Sequence, residues 1–145
     1  MADVSFTHDR PASASDYLAL LARLGLAHGV LVHPSAYGDD FSLLFHALAS
    51  HRNLRGVVVV RRNTTIALDT LRSRGVRAAR FSHRSGSGAN FAGSASFDDL
   101  LVLAPRLADA HLHAELWAGC KVLPDIAPRL RELPVPVVID HMGGF

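Results

Sequence analysis

Apolar positions along this chain switch repeatedly between a helical and an extended spacing. "DYLALLARLGL" (16–26) places Tyr17, Leu20, Leu21 and Leu24 on one helical face, with Ser15 or Asp16 as the N-cap and Gly25 as the stop. "GVLVH" (29–33) is a short unbroken apolar run, the pattern of a strand covered on both faces. "DDFSLLFHALASH" (39–51) is helical again through Phe41, Leu44, Phe45 and Leu48. "GVVVV" (56–60) is a buried strand, because consecutive β-branched residues disfavour a helix.

"TTIALDTLRSRG" (64–75) reads as a helix opened by a Thr cap and closed by Gly75, and "VRAARF" (76–81) as a third strand. The Gly- and Ser-rich stretch 82–96 is a long loop. "FDDLLVLAPRLADA" (97–110) is a helix that Pro105 is expected to kink or interrupt. A fourth strand, "LHAELWA" (112–118), a helix, "LPDIAPRLREL" (123–133), and a fifth strand, "PVVID" (136–140), complete the pattern.

Strand and helix alternate strictly, with connections that suit right-handed crossovers, so the class is parallel α/β. Two architectures carry that pattern: an open doubly wound sheet or part of a (β/α)8 barrel. A closed barrel needs about 250 residues, and the chain has 145. Length alone therefore favours the open sheet. One domain over 1–145 is expected, with 1–14 as a poorly ordered polar segment.

Composition narrows the function classes. The chain is 49% hydrophobic and 19% charged with a net charge of +2, which is globular rather than disordered. Its arginines are scattered among acids and form no cationic stripe, so nucleic acid is not an expected partner. Cys120 is the only cysteine, so no intramolecular disulfide forms. No run reaches the ~20 apolar residues of a membrane span, and no secretion signal opens the chain, so a cytoplasmic protein is expected.

In either architecture function sits at the carboxyl ends of the strands. His33, Ser35 and Tyr37 follow the first strand, Arg80, His83 and Arg84 the third, Trp117 and Gly119 the fourth, Asp140 and His141 the fifth. Arg80 shares a strand face with Val76 and Ala78, where an always-charged guanidinium suits a carboxylate; the plainer reading pairs it with an acid across a loop. His141 extends the face of Val137 and Ile139 and is read as metal ligand, general base or hydrogen-bond donor, against a purely structural histidine. Asp140 points the other way, as a cap or as support for a neighbour. The "HLH" pair (111–113) lies at the start of its strand, the wrong end for a site. Cys120 has no base at a fixed spacing. The Gly/Ser loop lacks a phosphate-binding pattern and reads as a flap over a pocket.

"DYLALLARLGLAHGVLVHPSAYGDD", "RGVRAARFS" and "LAPRLRELPVPVVIDHMGG" resemble the amidohydrolase-related family, in its 2-pyrone-4,6-dicarboxylate hydrolase-like branch. The similarity runs from Asp16 onward, with "PVPVVIDHMG" its most specific segment. The resemblance implies a partial TIM-like (β/α) barrel whose five strands are the second to sixth of eight, overturning the preference that length suggested. It implies hydrolysis of a small carboxylated cyclic substrate by water attack. His141 takes the role of the active-site histidine, Ser35 and Tyr37 line the pocket, and Arg80 and, less directly, Arg84 grip a substrate carboxylate.

The resemblance leaves the cofactor open: it allows a divalent metal such as zinc in the intact family, but the His-x-His pair of the first strand is absent here, where "VSFTHDR" offers only His8. Strands seven and eight, with the aspartate that activates water, have no counterpart, so a truncated and incomplete enzyme is expected. Such a chain is expected to self-associate or to need a complementing fragment, because an unclosed barrel exposes strand edges. The competing readings are a noncatalytic α/β module that binds a small carboxylate through Arg80 and His141, and a relic without a biochemical role.

Overall fold

The computed structural model describes residues 12–86 and 91–144. Residues 1–11, which include His8 and most of the expected poorly ordered segment, and residues 87–90 of the Gly/Ser loop lie outside the described residues. Helix α1 (Ala14–Arg23) is capped by Ser13, not by Ser15 or Asp16. The Ser13 Oγ accepts the Asp16 N–H, while Asp16 Oδ2 accepts the Ser13 N–H at 2.8 Å, a reciprocal box that puts Asp16 at the third helical position. Three candidate caps within four residues left the register open in the sequence.

The other elements follow in the expected order: β1 (Gly29–Val32), α2 (Ser42–Ser50), β2 (Leu54–Val59), α3 (Leu68–Ser73), β3 (Val76–His83), α4 (Phe97–Asp109), β4 (His113–Ala118), α5 (Leu123–Arg131) and β5 (Val137–Ile139). The Thr cap expected for α3 is not there. The helix starts four residues later, and the Thr64 hydroxyl accepts the Arg61 N–H at 3.0 Å in the preceding turn. Helix α4 continues through Pro105 without interruption, opened by its own Ser96–Asp99 capping box. Its apolar residues Leu100, Leu103, Ala104 and Leu107 are buried, so tertiary packing outweighs the bond the proline removes.

The five strands form one sheet in the order β1-β2-β3-β4-β5, every neighbouring pair parallel. A doubly wound sheet reverses its strand order to cover both faces with helices. Sequential order with right-handed crossovers instead lays all the helices on one side, and the sheet is an arc of a (β/α) barrel. Val58, Ala79, Phe81, Ala114 and Leu116 turn toward the helices and pack with Leu71, Leu100 and Leu107 in the main core. Each such side chain contributes roughly 1.5–3 kcal/mol on full burial. The opposite face carries Val30, Val32 and Val138, which are 51%, 40% and 48% exposed.

A shift in the β2–β3 pairing sets which residues look which way. Gly56 pairs with Val76 but Val57 with Ala78, so Arg77 is an extra residue in β3. Val76 therefore faces the helices, and Arg80 shares its face with Ala78 but not with Val76, correcting the simple alternation. Gly56 sits where an added Cβ would lie 2.8 Å from Leu48 Cδ1, which lets α2 settle directly on the sheet.

Asp99 links this scaffold to pH. Burial alone would raise its carboxyl, but hydrogen bonds from the Arg62 guanidinium at 2.8 Å and from Ser96 outweigh that and hold it below the usual aspartate value. Its stabilising contribution is therefore complete above the unfolded-state pKa and is lost as pH falls through the depressed folded value. Urea midpoints measured from about pH 6 down to about pH 3 should fall for the native chain, and fall less for Asp99→Asn.

Candidate active site

At the carboxyl ends of the strands lies a cavity of about 440 Å³, walled by His33, Ser35 and Tyr37 after β1, Arg80 and Ser82 on β3, Phe91 and Ser94, Trp117 on β4, and His141 after β5. Four of the five residues expected at the site, Ser35, Tyr37, Arg80 and His141, thus meet on one pocket. The fifth, Arg84, is not in its wall. Its guanidinium carbon lies 5.2 Å from the Trp117 ring centroid, stacked at the rim.

Arg80 does not stand free. Its Nε donates to Asp140 Oδ2 at 2.7 Å, Nη2 lies 2.6 Å from the same oxygen, and Glu115 Oε2 lies 3.9 Å from Nε. The side chains of Arg80, Glu115 and Asp140 are only 25%, 14% and 10% exposed, so removing one partner would leave a charge poorly compensated. Glu115 lies beside Arg80 in the β3–β4 register and makes no hydrogen bond among the described residues. Burial pushes its carboxyl above the ordinary value, Asp140 pushes the same way, and Arg80 opposes both.

The structure reverses the expected faces of the last strand. Val137 and Ile139 pack against the helical core, whereas Val138 pairs with Glu115 on the open face. Asp140 follows Val138 to that side and meets Arg80. His141 would follow Ile139 toward the helices had the strand continued. Instead the backbone turns left-handed at His141 (φ 50°) and Met142 (φ 53°), ahead of Gly143 and Gly144. The His141 ring comes to lie edge-on to Trp117, centroids 5.0 Å apart. Two consecutive non-glycine residues at positive φ cost on the order of 1–2 kcal/mol each, strain typical of a functional turn.

His33 and Phe91 complete the pocket without having been assigned from the sequence. His33 is 4% exposed, and its Nε2–H donates to the Asp40 carbonyl at 3.0 Å, while its buried Nδ1 has no hydrogen-bond partner among the described residues. Burial lowers its basicity, against the pull of Asp40 and Asp39. Phe91 packs on Trp117 at 5.7 Å. Glu115 was readable from alternation, two residues before Trp117 on the face that carries Arg80. Asp140 was read as support for a neighbour, which its bond to Arg80 bears out, although its strand face was assigned to the wrong side.

The described residues do not fit a metal on their own. No group of three or more His, Cys, Asp or Glu that could hold an ion exists among them, Asp140 is engaged by Arg80, and His8 lies outside the described residues. The arrangement offers a cation, two serine hydroxyls, a phenol, imidazoles and an aromatic wall, the set that binds and polarises a small anionic ring.

Residues 1–145 match the Amidohydrolase family along their whole length. The chain belongs to that family. As an amidohydrolase it is 33% identical to a 4-sulfomuconolactone hydrolase of Rhizobium radiobacter over 145 aligned positions, covering 88% of this chain and 42% of that relative. It is 31% identical to a 2-pyrone-4,6-dicarboxylate hydrolase of Comamonas testosteroni, covering 91% and 43%. Among solved structures it superposes with a TM-score of 0.79 and 26% identity on a probable 2-pyrone-4,6-dicarboxylic acid hydrolase from Acinetobacter baumannii, crystallised with citric acid, over 99% of this chain and 53% of that one. A second, from Pseudomonas putida, gives 0.76 and 31% over 96% and 50%. The chain thus spans under half the length of the curated relatives it matches, and its five-stranded arc corresponds to about half of a barrel. No helix among the described residues is long and apolar enough to cross a membrane.

The wall on the β1 side depends on Gly93. Its φ is +77°, and an added Cβ would run into the Ser35 carbonyl oxygen. Gly93→Ala should destabilise the chain by roughly 1–3 kcal/mol in urea unfolding and shift the emission of Trp117, the only tryptophan.

Proposed function

We propose that this amidohydrolase chain forms the substrate-gripping half of a lactone hydrolase site for a small cyclic carboxylate. The observation that carries the reading is that Arg80 and His141, from strands two apart, open onto one aromatic-walled pocket. The names of the relatives, both lactone hydrolases, and the citric acid in the Acinetobacter baumannii structure support the same class of ligand.

In this reading one ring carboxylate seats against the edge of the Arg80 guanidinium that Asp140 leaves open, and Ser35, Tyr37 and, at the rim, Arg84 complete the grip. The ring lies along Trp117. Water adds to the lactone carbonyl carbon, the ring C–O bond breaks, and His141 donates a hydrogen bond to the developing oxyanion. No Asp or Glu is among the described residues of the wall, so no carboxylate there activates water. That same observation favours a second reading, a noncatalytic module that binds the carboxylate without turnover.

The test is the loss of 2-pyrone-4,6-dicarboxylate, followed by absorbance, with the chain alone and mixed with a polypeptide supplying the remaining barrel strands. Turnover that appears or rises on mixing supports the enzyme; binding without turnover in both supports the module. Arg80→Met should weaken binding at least about tenfold. His141→Asn should lower kcat by about 10²–10³ with little change in binding, provided turnover is present.

The exposed valines of the open face, and edge strands β1 and β5 that pair on one side only among the described residues, support a further expectation. The chain self-associates unless a complementary segment covers that face. Light scattering should give a mass above that of one chain, falling to a single 1:1 species on mixing. A monodisperse monomer with a sharp thermal transition would refute this.

A further inference from the structure

Behind the pocket wall, Arg80 has two carboxylates beside its one guanidinium. Asp140 engages the guanidinium directly, at 2.6 and 2.7 Å, whereas Glu115 stands 3.9 Å away and makes no hydrogen bond among the described residues. Neighbouring groups supply little further positive charge. On β4, His113 Nε2 lies 3.9 Å from Glu115 Oε1, but burial lowers the basicity of that imidazole against a hydrogen bond with the Arg77 backbone. On β5 the register partner is Val138, and on β2 the residue beside Arg80 is Val59, neither of which ionises. His141 lies edge-on to Trp117, and Arg84 stacks over the same ring at the rim. A ligand carboxylate arriving at Arg80 would make three anions around one cation in a half-buried site, an arrangement that low local dielectric penalises heavily.

We propose that Glu115 takes up a proton when a ligand carboxylate seats on Arg80, so that carboxylate binding in this pocket is coupled to proton uptake. This rests on the reading of the pocket as a carboxylate site. Glu115 is the group able to yield. Asp140 accepts a charge-assisted bond from Arg80 Nε, pairs closely with Nη2 and would forfeit both on protonation, whereas Glu115 has no hydrogen bond among the described residues to lose. Burial and Asp140 already push the Glu115 carboxyl upward. The sign follows by linkage. Where the ligand raises the proton affinity of Glu115 further, binding takes up a proton between the free and bound pKa values, and affinity falls as pH rises through that window. Below the window Glu115 is already neutral and affinity is flat. Glu115 is a positioning residue here, since it keeps the charge around Arg80 balanced without touching the reacting bond.

The experiment uses benzene-1,3-dicarboxylate, a ring with two meta carboxylates that cannot be hydrolysed. It is titrated calorimetrically in pairs of buffers of different ionisation heat from about pH 6 to about pH 8, where both ligand carboxylates are essentially ionised. The native chain should take up a proton fraction approaching one per ligand within the window, with Kd rising up to about tenfold per pH unit. Glu115→Gln should bind with no uptake and a flat profile, and His113→Asn should keep the native uptake. Absence of uptake in the native chain at every pH, or uptake that survives in Glu115→Gln or disappears in His113→Asn, would overturn the inference while leaving the carboxylate site standing. Absence of any binding by the native chain would overturn the site itself. Should Glu115→Gln melt out, the native and His113→Asn proton counts still decide.

Discussion

The bridge from Arg80 to Asp140 spans the sheet from the third strand to the turn after the fifth, passing over β4. A guanidinium on the open face of a parallel arc has no helix to lean on, so its direction must be fixed by a charge beyond its own strand. Asp140 supplies that charge because it follows Val138 to the open face, just past the end of the three-residue β5. The same short strand forces the chain into its left-handed turn, and the turn carries His141 to Trp117. One ion pair therefore links the orientation of the candidate cation to that of the candidate histidine. Removing either charge would disturb both.

That dependence follows from how the sheet is covered. The helical side is a dense apolar layer, with Phe81, Leu100, Leu107 and Leu116 almost wholly enclosed. The other side mixes exposed valines with a partly enclosed cluster of Arg80, Glu115, His113 and Asp140. Polar groups persist there because they hold one another, whereas the helix-facing residues are held by packing. The half-length match to the relatives fits this division, since an arc of five strands has one finished face and one that awaits cover.

The strands were legible because their signal is steric: the β-branched run Val57 to Val60 admits little but a strand, and β2 covers Leu54–Val59. The pocket was legible to the extent that strand ends gather chemistry, which brought Ser35, Tyr37, Arg80 and His141 together. What stayed hidden was governed by single-residue shifts. The extra Arg77 in β3 turns Val76 away from Arg80, and the parity of β5 exchanges Asp140 for His141. Alternation carries no information about bulges or about where a strand stops. The caps failed for a related reason: Ser13, Ser15, Asp16 and Thr64 are all able to cap, and only tertiary packing selects among them.

The location of the strain bears on what this half of the site does. Among the described residues, the two consecutive left-handed non-glycine residues fall at His141 and Met142, and the other such residue, His111, lies at the opposite end of the sheet. Relaxing the turn would return His141 to the helix-facing side, where Ile139 already packs. The cost of the turn is thus borne by the segment that connects the carboxylate grip to the imidazole. A chain that served only to bind an anion through Arg80 would need Asp140 but not the bend beyond it. The bend is what makes the pocket more than a cation in a cleft, and it is the structural reason to place the reacting carbonyl beside His141 rather than elsewhere along the wall.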